Sequence, residues 1–222
     1  MSMERRVIKT ADGSHTLEII EMEDTYHSRH GALQESDYVF VGKGLNEKLV
    51  TQQQVSILEI GFGTGLNALV TKHAISSTKA SVHYTALETS PVHQEEIALL
   101  NYTALIPALA DFYSEIHRAK WGEEVALDEQ FTLLKHQVAI EEFKSEKRFD
   151  LVYFDAFGPA SQPELWSLEL LRKVYELTAP GGIFVTYCAK GQVRRDLTEA
   201  GYTVERLPGP PGKRHMLRGV KS

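Results

Sequence analysis

The chain of 222 residues has a single cysteine, Cys188. That excludes an intrachain disulfide and a cysteine-based metal cluster. No apolar run approaches the roughly 20 residues that a membrane-spanning helix needs. The start, Met1-Ser2-Met3-Glu4-Arg5-Arg6, lacks the apolar core of a secretory signal, so a cytoplasmic location is expected. There is no internal repeat and no low-complexity segment. Positive charge is also scarce: 24 Lys plus Arg stand against 30 Asp plus Glu, for a net charge of −6. That balance argues against broad, non-specific nucleic-acid binding. The deficit is uneven. From Lys190 to Lys221 there are eight Lys or Arg and three acids, whereas from Gln94 to Asp150 acids outnumber bases twelve to six. A locally basic C-terminal face and ordinary surface scatter both fit those counts.

Against these absences stands Leu58-Glu59-Ile60-Gly61-Phe62-Gly63-Thr64-Gly65. Val55, Ile57, Leu58 and Ile60 supply the β-branched and apolar bulk of a buried strand. Gly61, Gly63 and Gly65 then allow a tight turn and close backbone approach to a ligand. Such a turn at the carboxyl edge of a parallel sheet is where α/β folds bind a cofactor. A dinucleotide site has the spacing G-x-G-x-x-G. Here the run is E-x-G-x-G-x-G, which resembles motif I of S-adenosylmethionine (AdoMet) methyltransferases.

Around this turn, strand and helix patterns alternate. Val7–Thr10 and His15–Ile20 flank Asp12-Gly13, a hairpin signal. Residues 32–50 carry helical features, and Gly42 and Gly44 suggest two shorter pieces. Strands are expected at 55–60, 82–87, 131–136, 149–154 and 182–187, and helices at 65–75, 91–100, 167–178 and 191–200. Pro91 fits a first helical turn, and Ala179-Pro180-Gly181-Gly182 reads as a stop and turn. Residues 101–130 read only as helix plus loop. The tail segments 202–207 and 215–220 enclose a Pro- and Gly-rich loop and form an antiparallel pair. The expected class is α/β: a Rossmann-like, mostly parallel seven-stranded sheet with an antiparallel C-terminal strand, the class I AdoMet methyltransferase arrangement. Residues 1–50 are expected to form a hairpin and helical extension packed on the core, with residues 51–222 as the AdoMet-binding domain.

Several side chains are candidates for chemistry. Glu88, at the end of the second core strand, can accept both ribose hydroxyls, but an NAD site uses an acid at similar spacing. Gln137, with Val138 beside it, occupies the place where many methyltransferases carry an adenine-contacting acid. Asp155 ends the fourth core strand before a Gly158-Pro159 loop and can orient an amine and accept its proton. Cys188 reads as packing, with covalent addition to a pyrimidine as the rival. His27 and His30 have no further ligands near them in sequence, so no metal site is expected. The Gly209–Arg214 loop fits either a phosphate contact or a plain turn.

Longer blocks carry a family resemblance. Tyr26-His27-Ser28…Gly31…Glu35…Val39-Phe40 is similar to a Y-x-S…G…E…VF block. Asp155-Ala156-Phe157-Gly158-Pro159…Gln162-Pro163-Glu164-Leu165-Trp166 resembles D-x-F-A-P…N-P-x-x-W, with Gly158 and Gln162 as departures. Tyr187–Arg195 and the Pro-Gly-Pro-Pro-Gly-Lys-Arg loop look like C-terminal signatures of the same family. That family is the methyltransferase part of the bifunctional tRNA 5-methylaminomethyl-2-thiouridine biosynthesis protein and its stand-alone relatives. The resemblance runs from about residue 10 to 220. It implies methyl transfer from AdoMet to the primary amine of 5-aminomethyl-(2-thio)uridine at the tRNA wobble position. It implies that Gly61, Gly63, Gly65 and Glu88 hold AdoMet, and that Tyr26, Ser28 and Glu35 lie over it or line its pocket. Asp155 would face the amine, with Phe157 and Pro159 shaping the entrance. Lys190, Arg194, Arg195, Lys213 and Arg214 would contact the anticodon region of tRNA. No flavin oxidase domain and no membrane association are expected for this chain, and the sequence points to no particular protein partner. The rival readings are a methyltransferase of a small-molecule amine and an AdoMet-binding module without catalysis, with an NAD oxidoreductase last.

Overall fold

The computed structural model describes residues 4–222; Met1–Met3, where the reading of the N-terminus begins, lie outside the described residues. Strands β1 (Arg5–Lys9) and β2 (His15–Ile19) form the expected hairpin, and a short β3 (Asp24–Thr25) extends it antiparallel to β2. The hairpin turn also caps a helix. Ser14 Oγ accepts from Ala32 N and Leu33 N, both at 3.2 Å, and Asp12 Oδ2 accepts from Gln34 N at 3.0 Å. These bonds satisfy amides that a helix start leaves without intrahelical partners.

That helix is continuous over residues 32–49, not two pieces. Helix α1 (Ala32–Ser36) runs through a π-helical segment, Asp37–Leu45, into α2 (Asn46–Leu49). Gly44 is why the helix lies flat on the sheet. A Cβ there would sit 3.1 Å from Leu151 Cδ1 and 3.2 Å from Val185 Cγ2. The glycine marks close approach and not a break.

The core continues through β4 (Gln54–Ile60), α3 (Leu66–Ile75), β5 (Ser81–Leu87), α4 (Gln94–Ile97), α5 (Tyr102–Leu105), α6 (Ala110–Arg118), β6 (Glu124–Ala126) and β7 (Phe131–His136). It ends with β8 (Phe149–Phe154), α7 (Leu168–Leu177), β9 (Thr178–Thr186), α8 (Gly191–Ala200), β10 (Thr203–Pro208) and β11 (His215–Val220). The sheet order is β10-β11-β9-β8-β4-β5-β7-β6. Strands β9, β8, β4, β5 and β7 are parallel, while β11 runs antiparallel to β9. The sheet has eight strands, one more than expected, because β6 from the aperiodic 101–130 region pairs antiparallel with β7.

Alternation along the central strands splits their side chains between two cores. Ile57, Leu151, Tyr153 and Val185 face the core of α3, α6 and the π-helical segment; Leu58, Val152, Phe154 and Phe184 face that of α7 and α8. No helix among the described residues is long and apolar enough to cross a membrane.

Two local expectations fail for identifiable reasons. The helix expected at 91–100 shrinks to Gln94–Ile97, and Pro91 precedes it. Glu88 Oε1 accepts from Ser90 N at 2.8 Å and fixes the preceding loop, while Asn101 is tied to the hairpin through Gly13 O and His15 N. The Ala179–Gly182 segment is not a turn between elements. It is an irregularity inside β9, where the register with β8 shifts between Phe149 and Leu151.

Candidate active site

The parallel strands end together at Ile60, Leu87 and Phe154, and a cavity of about 410 Å³ opens beyond them. This is the expected place for a ligand in such a sheet. Gly61 N and Phe62 N both donate to Leu87 O, at 3.0 and 3.1 Å, and pull the turn over the end of β5. Gly61 (φ +92°) and Gly63 (φ +49°) occupy the left-handed region. A Cβ on Gly61 would fall 2.6 Å from Asp155 O, and one on Gly63 2.9 Å from Tyr26 Cδ1. Gly63 N donates to Glu88 Oε2 at 2.9 Å, so each oxygen of that carboxylate holds one loop amide and keeps further acceptor capacity.

The opposite wall comes from distant segments. Tyr26 packs edge-on to Phe157 at 5.1 Å between ring centroids, and the Arg5 guanidinium lies 5.7 Å from the Tyr26 ring centroid. Ser28 N donates to Glu35 Oε1 at 2.9 Å, and Glu35 pairs with Lys213. Tyr187 donates its hydroxyl to Ala156 O at 2.9 Å, and Trp166 Nε1 donates to Phe157 O at 2.8 Å, which fixes the loop after β8.

Asp155 faces this cavity with its flank enclosed. Asn67 Nδ2 donates to Asp155 Oδ2 at 2.8 Å and to the buried Glu59 at 2.9 Å. Burial is the main reason the Asp155 pKa rises to about 7; Glu35 adds to the rise, while Asn67 and Lys213 oppose it. Burial also lifts Glu59 well above the usual carboxylate range, with Asp155 adding to it. His27 donates to or accepts from Thr64 Oγ1 at 2.7 Å, and burial depresses its pKa to about 3. Among the described residues the lining holds six carboxyl groups, Asp24, Glu35, Glu88, Glu141, Asp155 and Glu164, against one ammonium, Lys213. Such a cavity suits a cationic ligand better than a phosphate.

Of the residues the sequence singles out, Gly61, Gly63, Glu88, Val138, Tyr26, Ser28, Glu35, Asp155, Phe157 and Lys213 line the cavity. Gly65 does not; it opens α3, and a Cβ there would meet Ile116 and His117 of α6 at 3.0–3.2 Å, so its work is helix packing. Gln137 is exposed outside the lining, and so are Lys190, Arg194, Arg195 and Arg214; Pro159 is half-buried but also outside it. Asn67 and Glu59 went unread as site residues. A helix-borne Asn eight residues after a motif acid was the available signal. Cys188 is buried in the α7–α8 core and absent from the lining. No group of three or more metal-ligating side chains occurs among the described residues.

Residues 103–222 match the sequence profile of a family described as S-adenosyl-L-methionine-dependent methyltransferases. The chain belongs to that family. It is an AdoMet-dependent methyltransferase. The chain is 34% identical over 209 residues to the tRNA 5-methylaminomethyl-2-thiouridine biosynthesis bifunctional protein MnmC of Aromatoleum aromaticum, covering 88% of this chain and 32% of that protein. The same-named protein of an Azoarcus species is 33% identical over 213 residues, again covering 88% and 32%. The chain thus spans about a third of the length of these curated relatives. The crystal structure of MnmC2 from Aquifex aeolicus superposes with a TM-score of 0.81 at 26% identity, covering 98% of this chain and 70% of that one. The site of this methyltransferase fits its cofactor: a turn with no Cβ at Gly61 and Gly63, a carboxylate at the end of β5, and acidic walls for a sulfonium and an ammonium.

Proposed function

We propose that this enzyme transfers a methyl group from AdoMet to the primary amine of 5-aminomethyl-(2-thio)uridine at the wobble position of tRNA. The observation that carries the reading is Asp155, with its pKa near 7, inside an acid-lined cavity and against the glycine turn. The names of the MnmC relatives support the tRNA acceptor. In this reading Gly61 and Gly63 lie against AdoMet, Glu88 receives its ribose hydroxyls, and Val138 borders the adenine. Tyr26, Ser28 and Glu35, from the extension formed by residues 1–50, wall the pocket of the 51–222 unit. Action on tRNA implies a cytoplasmic enzyme.

When bound, AdoMet supplies an electrophilic methyl carbon on a sulfonium. The residues of this chain prepare the nucleophile. The cavity acids draw in the acceptor as an ammonium. Asp155, ionised at pH above about 7, takes one proton and aims the freed lone pair at the methyl carbon. Transfer to that nitrogen would be an in-line displacement, so the residues that hold the amine in line would supply much of the rate. Phe157 and Tyr26 shape the approach, and the exposed Lys190, Arg194, Arg195 and Arg214 meet tRNA phosphates.

Incubation with labelled AdoMet and tRNA carrying 5-aminomethyluridine, then digestion to nucleosides, tests the reading. Label is expected on that nucleoside, with salt-sensitive binding. Labelling of free amines with none on tRNA would overturn it in favour of a small-molecule acceptor.

A further inference from the structure

The cavity holds an ion pair that the reaction above does not use. Lys213 sits in the loop between β10 and β11. Its ammonium pairs with Glu35 from α1 and lies 3.8 Å from the centroid of the Tyr187 ring. The Glu35 side chain is 6% exposed and that of Lys213 29%. The loop is held from the N-terminal side. Tyr38 donates its hydroxyl to Pro208 O at 3.2 Å, and Gly212 backs so closely on the His30 ring that a Cβ would overlap it. The sequence grouped Lys213 with cations that meet tRNA. An ammonium already shared between a buried carboxylate and an aromatic face is poorly placed to meet a phosphate.

We infer that Lys213 is a positioning residue for methyl transfer: by neutralising Glu35 it leaves Asp155 as the carboxylate that receives the proton of the acceptor. The inference rests on the amine-acceptor reading given above. Two carboxylates that share a site cannot both ionise freely, and one retains its proton. Glu35 and Asp155 share this site, and Lys213 opposes that coupling. The other groups facing Asp155 do not substitute for it. Glu59 from β4 is a carboxyl that burial pushes toward its protonated form, Asn67 from α3 has no charge, and Tyr84 from β5 and Tyr187 after β9 are held as phenols by burial. Among the described residues, Lys213 is the one cation lining the cavity.

The test uses the full chain, AdoMet and tRNA carrying 5-aminomethyluridine, with kcat/KM measured across pH for Lys213→Met, Glu35→Gln, the double variant and Lys213→Arg. The substrate amine is the same throughout, so a displaced acid limb reports the protein. Lys213→Met should move that limb up by about one pH unit and lower kcat/KM at pH 7 about fivefold. Glu35→Gln should move it down, the double variant should return it close to the wild-type position, and Lys213→Arg should leave it there. A thermal melt checks that each variant is folded. If Lys213→Met does not fold, Glu35→Gln decides alone, and an unmoved limb overturns the inference. A higher KM for tRNA with weaker salt dependence and an unmoved limb in Lys213→Met also overturns it, in favour of a phosphate contact. So does a double variant no better than Lys213→Met. Absence of label on tRNA with the wild-type chain refutes the acceptor reading instead. The same limb comparison, run on whichever amine the enzyme does methylate, still decides the role of Lys213.

Discussion

The two ends of the cavity are built from different materials. The end at Gly61, Gly63 and Glu88 is mostly backbone, two left-handed glycines and amides donating to Leu87 O and Glu88. The end at Asp155, Glu35, Lys213 and Tyr187 is made of ionisable side chains from four separate segments. A backbone cradle keeps its form as pH changes. A cluster of carboxyl groups does not. In the proposed reading, recognition of the donor and activation of the acceptor fall to parts of the protein with different sensitivities.

The strongest test of that contrast is Asp155→Asn. Turnover should fall about a hundredfold or more, while AdoMet affinity by calorimetry should stay within about threefold. Loss of AdoMet binding would mean that the ends are not separate. The same variant has a stability signature. The folded-state pKa of Asp155 is raised to about 7 from 3.8, so its contribution to stability is fully present below 3.8 and is lost as pH rises through about 7. Asp155→Asn should therefore raise Tm at pH 8 and raise it much less at pH 5.

A narrower test compares two glycines in one turn. Gly63→Ala meets the edge of a side chain, Tyr26, whereas Gly61→Ala meets the backbone oxygen of Asp155 itself. Both carry positive φ, so both are strained. Gly63→Ala should weaken AdoMet about tenfold and leave the acid limb of the pH profile in place. Gly61→Ala should weaken AdoMet and also move that limb. Equal displacement in both variants would show that the turn and the base form one unit.

The same division explains what the sequence disclosed. The glycine turn, Glu88 and Asp155 are contiguous motifs at strand ends, and the β-period of Val55–Ile60 and Leu151–Phe154 places their strands without tertiary information. The acceptor end depends on a tertiary meeting of α1 with the β10–β11 loop, about 180 residues away in the chain, and no local pattern encodes that pairing. Lys213 therefore read as a tRNA contact beside Arg214. Asn67 falls inside the helix expected at 65–75 with no local sign of its bond to Asp155, which spans 88 positions. Gly44 misled in the other direction. A glycine inside a helix signals a break locally, and only its contact with Leu151 and Val185 reveals close packing.

The smallest effect is expected at Cys188. Enzymes that methylate carbon on a pyrimidine ring use a cysteine thiolate, so this residue marks the boundary between nitrogen and carbon chemistry in the acceptor. The thiol is buried between α8 and the sheet, and burial is the chief cause that pushes its pKa above the usual 9.0, which favours the unreactive protonated form. Cys188→Ala removes one packed sulfur and should lower stability by about 1 kcal/mol, with kcat and the acid limb unchanged. A thiol-alkylating reagent should likewise leave turnover intact at neutral pH. Turnover lost in Cys188→Ala, with AdoMet affinity retained, would move the acceptor atom from the exocyclic amine to the ring, and Asp155 would then have to be read as a base for a carbon acid.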